Sequence, residues 1–164
     1  GKGFFGIACS PLVEGGAVIL NIGGKDGAGI VAFDVASGKV LWQATDDEAS
    51  YASPVAATLG GKRRLLVITR EALVALEAAD GKVVFRHAWR PPMSASVSAA
   101  TPLVIGDLIF ISASYGTGAT LLRFKEGQRT VVDVYNDTDT PELVHWHGQI
   151  IPSDVDGAAE EGTP

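Results

Sequence analysis

The sequence has one cysteine, Cys9, which excludes an internal disulfide framework and any cysteine-rich zinc or iron–sulfur site. It has three histidines, His87, His145 and His147, so any histidine-built metal centre has few ligands to draw on. No apolar run reaches the roughly 18 residues that a membrane span needs, so no membrane span is expected. Basic charge is scarce as well: 13 Lys and Arg stand against 19 acidic residues, for a net charge of −6. The one basic cluster, Lys62-Arg63-Arg64, is too short to line a groove, which argues against nucleic acid as a partner. The opening Gly-Lys-Gly-Phe-Phe-Gly lacks a charged region leading into a long apolar stretch, so it does not read as a signal peptide. With no initiator Met, the chain reads as an internal piece of a longer product.

What is present points to a folded chain of many short elements. Hydrophobic residues make up 46%, too many for disorder at this modest net charge. The 20 glycines and 8 prolines supply turns. At about 150 residues per domain, the length fits one domain, or one domain and a fragment.

The chain repeats itself. Ser10-Pro11-Leu12-Val13 returns as Ser53-Pro54-Val55-Ala56, 43 residues later, and Gly38-Lys39 returns as Gly81-Lys82 with the same spacing. A third copy opens at Thr101-Pro102-Leu103-Val104, 48 residues after Ser53, and Phe124 follows Leu76 at that same spacing. Two landmarks share each offset, so chance is a poor explanation. Each copy reads as short strands: 18–22, 30–34 and 39–42 in the first, 65–68, 73–76 and 83–85 in the second, 103–105 and 108–111 in the third. Gly106-Asp107 between apolar runs is a hairpin signal. Residues 70–79 could pass for a helix, but the repeat alignment places them in a strand pair. Three to four strands in a repeat of about 40–50 residues is the signature of a β-propeller blade.

The run Ala32-x-Asp34-x-x-x-Gly38-Lys39-x-x-Trp42 resembles the tryptophan-docking motif of the propellers related to pyrroloquinoline-quinone enzymes. The second copy keeps Ala75, Gly81 and Lys82 but has Glu77 for Asp and Phe85 for Trp. The resemblance covers residues 7 to 127 and implies an all-β, incomplete propeller of about three blades, in which the Gly makes a turn and the Trp packs between blades. The enzymes of that family hold their quinone with adjacent cysteines, acidic residues and calcium, a set not found here, so no PQQ is expected. The chain looks more like the non-enzymatic branch, such as the lipoprotein of the outer-membrane barrel-assembly machinery. That implies a periplasmic or secreted scaffold with a protein partner on the propeller surface. Propellers close with about four to eight blades, so open blade edges invite self-association.

After Gly127 the pattern changes. Gln128 to Asn136 alternates like a half-buried strand, and Asp137 to Pro141 reads as a turn. His145 and His147 then stand at i and i+2, the spacing that points both side chains to one face of a strand. Imidazole suits copper, zinc, iron or nickel, but two ligands alone make a weak site. By pattern alone the pair is either a partial metal site or two exposed or hydrogen-bonded histidines.

The longer string, Val131, Asp133 and Asn136 followed by Val144-His145-Trp146-His147-Gly148, Pro152 and Asp156-Gly157, resembles the first copper motif of the multicopper oxidases. The resemblance makes residues 128–164 a truncated, cupredoxin-like strand segment from the N-terminal cupredoxin domain. It implies that His145 binds the type 2 copper and His147 one of the type 3 pair. The family's copper cluster takes histidines from four motifs, more than this chain has, so the site would be incomplete and the chain not a competent oxidase alone.

Other motifs read as structure. Gly23 to Gly29 lacks the phosphate-loop spacing and reads as a hairpin loop. Asp46-Asp47-Glu48 reads as a solvated inter-blade loop before a calcium site, and Asn136-Asp137-Thr138 as a turn before a glycosylation acceptor. Ser94, Ser96 and Ser98 have no general base nearby in sequence. Two functions follow for two segments, 1–127 and 128–164: a propeller scaffold for protein interaction, or copper binding and oxidoreductase function through His145 and His147.

Overall fold

The computed structural model describes residues 8–93 and 97–125, and the backbone of a strand at 128–134. All regular structure among them is β. The chain divides into two compact units, residues 1–132 and 133–164, and the three sheets lie in the first apart from the last two residues of the final strand.

Each sheet is a four-stranded antiparallel meander. The first runs β1 (Leu12–Glu14), β2 (Ala17–Asn21), β3 (Ile30–Asp34) and β4 (Val40–Ala44). The second runs β5 (Val55–Leu59), β6 (Lys62–Ile68), β7 (Ala72–Glu77) and β8 (Val83–Ala88). The third runs β9 (Leu103–Ile105), β10 (Leu108–Ala113), β11 (Gly118–Lys125) and β12 (Gln128–Val134). In all three the order in space is the order in sequence, which is blade topology. Segment 72–77 is strand β7, as the repeat alignment requires, because pairing on both sides overrides its local helical propensity.

The repeat landmarks do physical work. Ser10-Pro11, Ser53-Pro54 and Thr101-Pro102 each precede the first strand of a blade, and the Ser10 amide donates to the Ser53 hydroxyl at 3.0 Å. The first hairpins of the first two blades turn on Gly15-Gly16 and Gly60-Gly61, with φ of 55°, 80°, 55° and 75°. Two consecutive left-handed residues are what a tight hairpin matching strand twist demands. The register slips by one residue at Ala32/Phe33 and again at Ala75/Leu76, 43 positions on. Those slips put Trp42 opposite Ala32 and Phe85 opposite Ala75.

The third blade differs in the sequence between its last two strands. Only residues 126 and 127 separate β11 from β12, where the first two blades use a longer Gly-Lys turn. The strand from 128, which the change of pattern marked as the start of a second segment, pairs in space as the outer strand of this sheet.

Alternation along the strands sorts apolar side chains into two cores, one between each pair of consecutive blades. Ala17, Ile19, Ile30, Ala32, Trp42 and Ala44 of the first blade meet Leu65, Val67, Ala72, Val74 and Leu76 of the second. The other face of the second blade, with Leu59, Leu66, Ile68 and Leu73, meets Ile109, Ile111, Leu122 and Phe124 of the third. The second blade is buried on both faces, which is why β6 and β7 read as continuous apolar runs.

Candidate functional site

The two junctions between blades carry the most constrained side chains among the described residues. At the first junction Trp42 is 9% exposed and lies on Gly81, the turn glycine of the next blade. A Cβ at Gly81 would stand 2.4 Å from Trp42 Cε3, so only glycine leaves room for the ring, and its φ of +72° also suits glycine. Glu14 and Arg63 clamp the same junction with paired hydrogen bonds of 2.7 and 2.9 Å. The Arg63 guanidinium holds the Glu14 carboxyl below its usual range. Inside the junction the Asn21 amide donates to the Ile68 carbonyl at 3.0 Å.

The Gly-Lys turns explain the departure at Glu77. In the first blade Asp34 accepts from the Ser37 amide and hydroxyl at 2.7 and 2.6 Å, which lowers its pKa. In the second blade Asp80 takes the capping role, accepting from the Lys82 amide at 2.9 Å. Glu77 is thereby released to face Arg64, at 3.3 and 3.4 Å.

Arg64 belongs to the second junction. Its side chain is 1% exposed, Nη1 donates to the Leu59 carbonyl at 2.8 Å, and its guanidinium sits 4.4 Å from the Phe124 ring centroid. Phe85 reaches Phe124 at 6.0 Å between centroids. A groove of about 720 Å³ opens here between the second and third blades.

At the opposite ends of the strands the loops form a charged network. Asp47 accepts from both guanidinium nitrogens of Arg86 and, at 2.8 Å, from the Thr69 hydroxyl. Arg70 meets Glu48 at 3.2 Å, and Arg90 approaches Glu71 at 3.6 Å. Burial pushes the Glu71 carboxyl above its usual range, and the neighbouring Asp47 adds to that.

His145 and His147 lie outside the described residues, as do Ser94 and Ser96. His87 sits on β8, 7% exposed and stacked on Trp89 at 6.3 Å. Cys9 is half-buried with its Sγ 3.6 Å from the Asn21 carbonyl. No group of three or more His, Cys, Asp or Glu residues able to hold a metal ion occurs among the described residues. The acidic run 46–48 is taken up by structure: Asp46 caps the Gly27 amide at 2.6 Å, and its two neighbours bind arginines. The Gly23 to Gly29 segment closes on itself through Gly24 N to the Ala28 carbonyl at 2.8 Å, as a hairpin loop does. No helix among the described residues is long and apolar enough to cross a membrane.

Sequence reasoning passed over Arg64, grouping it with a short basic run. A signal was there: alignment on the hairpin glycines puts Arg64 where the first blade has Ile19 and the third Phe110, and a charge at a repeat's apolar position needs a buried partner. The Asp47–Arg86 pair joins positions 39 apart with no shared motif, so it had no local signal.

The profile of the family described as outer membrane protein assembly factor BamB matches residues 2–156. The chain belongs to that family. Its repeats are quinoprotein-type propeller repeats, as the docking motif implied. A solved structure, of a europium-containing methanol dehydrogenase, matches 77% of this chain with a TM-score of 0.55 and 19% identity, a likeness of fold alone. Copper resistance protein A of Pseudomonas syringae pv. tomato is 43% identical over 42 residues, 26% of this chain. The chain spans 24% of that dehydrogenase's length and 7% of that copper protein's.

Proposed function

We propose that this member of the assembly-factor family is a protein-binding propeller scaffold, working outside the cytoplasm without a quinone. The observation that carries the reading is an open blade face. In the second blade Ala57 and Leu59 are 9% and 0% exposed, covered by the third blade. Their counterparts in the third blade, Leu103 and Ile105, are 42% and 59% exposed. They neighbour Phe110 and Leu108 across the β9–β10 register, so the apolar surface is continuous. The surface repeats the face by which the second blade holds the third, and the occupant it fits is a blade of a second copy of the chain. Sedimentation equilibrium tests this: the chain pairs as concentration rises, and Ile105→Asp, at an exposed position, stays monomeric. A chain that remains monomeric throughout, or an Ile105→Asp variant that pairs equally well, overturns the reading.

A second reading is copper binding through His145 and His147, with the oxidoreductase activity of a multicopper oxidase once other ligands complete the site. The 42-residue likeness to a copper resistance protein favours it. Imidazole donors at i and i+2 fit copper by chemistry. Copper per chain after reconstitution and desalting decides: metal held by the wild type and lost in the His145→Ala/His147→Ala variant supports the site, and copper absent from both removes it.

A further inference from the structure

We propose that two copies of this chain join head to tail, the free face of the third blade in each copy seating on the free face of the first blade in the other, so that the pair closes on itself. The inference rests on the scaffold reading and names the partner surface which that reading leaves open.

Both junctions within the chain are built in one sense. The first hairpin of each blade turns on a residue pair: Gly15-Gly16, Gly60-Gly61 and Gly106-Asp107. At the first junction the residue before the pair, Glu14, accepts hydrogen bonds of 2.7 and 2.9 Å from Arg63, the second residue after the next blade's pair. At the second junction the same two positions hold Leu59 and Ile109, both 0% exposed in one core. Each junction matches like with like, acid with base and then leucine with isoleucine. In the third blade the residue before the pair is Ile105, and the position that answers it in a second copy is Val18. Both are apolar and neither is covered: Ile105 is 59% exposed and Val18 half-buried.

The free face of the first blade is a receiving face. Val18, Leu20 and Phe33 share it, by strand alternation and the Val18–Phe33 register. Leu20 and Phe33 are half-buried, whereas their counterparts in the second blade, Leu65 and Leu76, are 0% exposed against the first blade. Among the described residues the chain thus has one seating face and one receiving face, unlike each other. Contacts between unlike faces are head-to-tail, and they either close or run on as a filament. Two copies of three blades make six, within the roughly four to eight at which propellers close. A pair formed by two third-blade faces would leave both receiving faces in water.

Sedimentation equilibrium on the full chain tests this through a charge transplant. Ile105→Glu puts the first blade's residue at that position and Val18→Arg the second blade's, so each substitution suits the repeat. Alone, either sets a charge against an apolar partner and weakens pairing by about tenfold or more. Mixed in equal amounts the two variants pair again, because the mixed dimer holds one acid–base clamp and one wild-type apolar junction. The double variant Ile105→Glu/Val18→Arg pairs by itself, and less tightly as salt rises. Circular dichroism matching the wild type shows that each variant is folded. A folded Val18→Arg variant that pairs as tightly as wild type, or a mixture and a double variant that both stay monomeric, overturns the head-to-tail assignment and leaves the scaffold reading standing. Species that grow beyond two copies overturn the closure. A wild type that stays monomeric, or an Ile105→Glu variant that pairs undiminished, overturns the scaffold reading and this inference together.

Discussion

Trp42 of the first blade rests on Gly81 of the second so closely that a Cβ on the glycine would stand 2.4 Å from the ring. The two residues belong to successive copies of one motif: the first copy's aromatic docks on the second copy's turn. A glycine conserved in position by the repeat therefore serves both its own turn and its neighbour's aromatic.

That contact predicts a strong coupling. Gly81→Ala meets both a left-handed backbone and the indole, at about 2–5 kcal/mol together. Trp42→Ala loses a buried aromatic, at about 3–5 kcal/mol. In the Trp42→Ala background the ring is gone, and Gly81→Ala then costs only the backbone part, about 1–2 kcal/mol. A double-mutant cycle by urea denaturation reads this non-additivity directly. Strictly additive losses would show that ring and glycine do not meet.

The blades were legible in the sequence because their causes are local. Ser-Pro and Thr-Pro openings, glycine pairs and the Gly-Lys turns sit at fixed spacing and set strand ends through backbone conformation. The junctions were less legible, since they depend on which copy meets which. Arg64 against Phe124 joins two blades, and Asp47 against Arg86 joins loop and strand, with no spacing rule to announce either. The outer strand of the third blade escaped for another reason: the sequence before it lacks the Gly-Lys-x-x-aromatic pattern, so its alternation could be read but not its partner. His145 and His147 were singled out by spacing and lie outside the described residues.

Glu71 predicts a pH dependence. Its carboxyl is raised in the fold, mainly by burial. The native state therefore holds its proton to higher pH than the unfolded chain does. Stability falls as pH rises from the ordinary value of 4.5 through the raised one, and this loss persists above it. Glu71→Gln cannot ionise, so it should remove that fall and stabilise the chain at neutral pH relative to pH 4. Thermal melts of both proteins across this range check the sign, and a parallel pH profile in the variant would refute it.

The loop network makes a separate prediction. Asp47 binds Arg86 through both oxygens and also takes the Thr69 hydroxyl. Asp47→Ala should cost about 1–2 kcal/mol, since Thr69 and Arg86 lose a charged acceptor while Arg86 keeps access to water. Asp47→Asn should recover part of this by keeping one acceptor oxygen. Equal losses in the two variants, measured by urea midpoint, would mean that the contact contributes by volume alone.

Arg64 separates charge from packing at the second junction. Its stem and guanidinium cover Phe124, and its nitrogens serve the Leu59 carbonyl and Glu77. Arg64→Met keeps most of the volume over the ring and leaves one buried carbonyl without its donor, a loss of about 1–3 kcal/mol. Arg64→Lys keeps the charge but has a compact, strongly hydrated ammonium in place of the planar fork, at a side chain that is 1% exposed. Desolvating that ammonium with fewer hydrogen bonds should cost more than the methionine does. The expected order of stability is wild type, then Arg64→Met, then Arg64→Lys. If lysine proved the better substitute, Arg64 would be held by its charge pair with Glu77, and the stacking on Phe124 would be incidental.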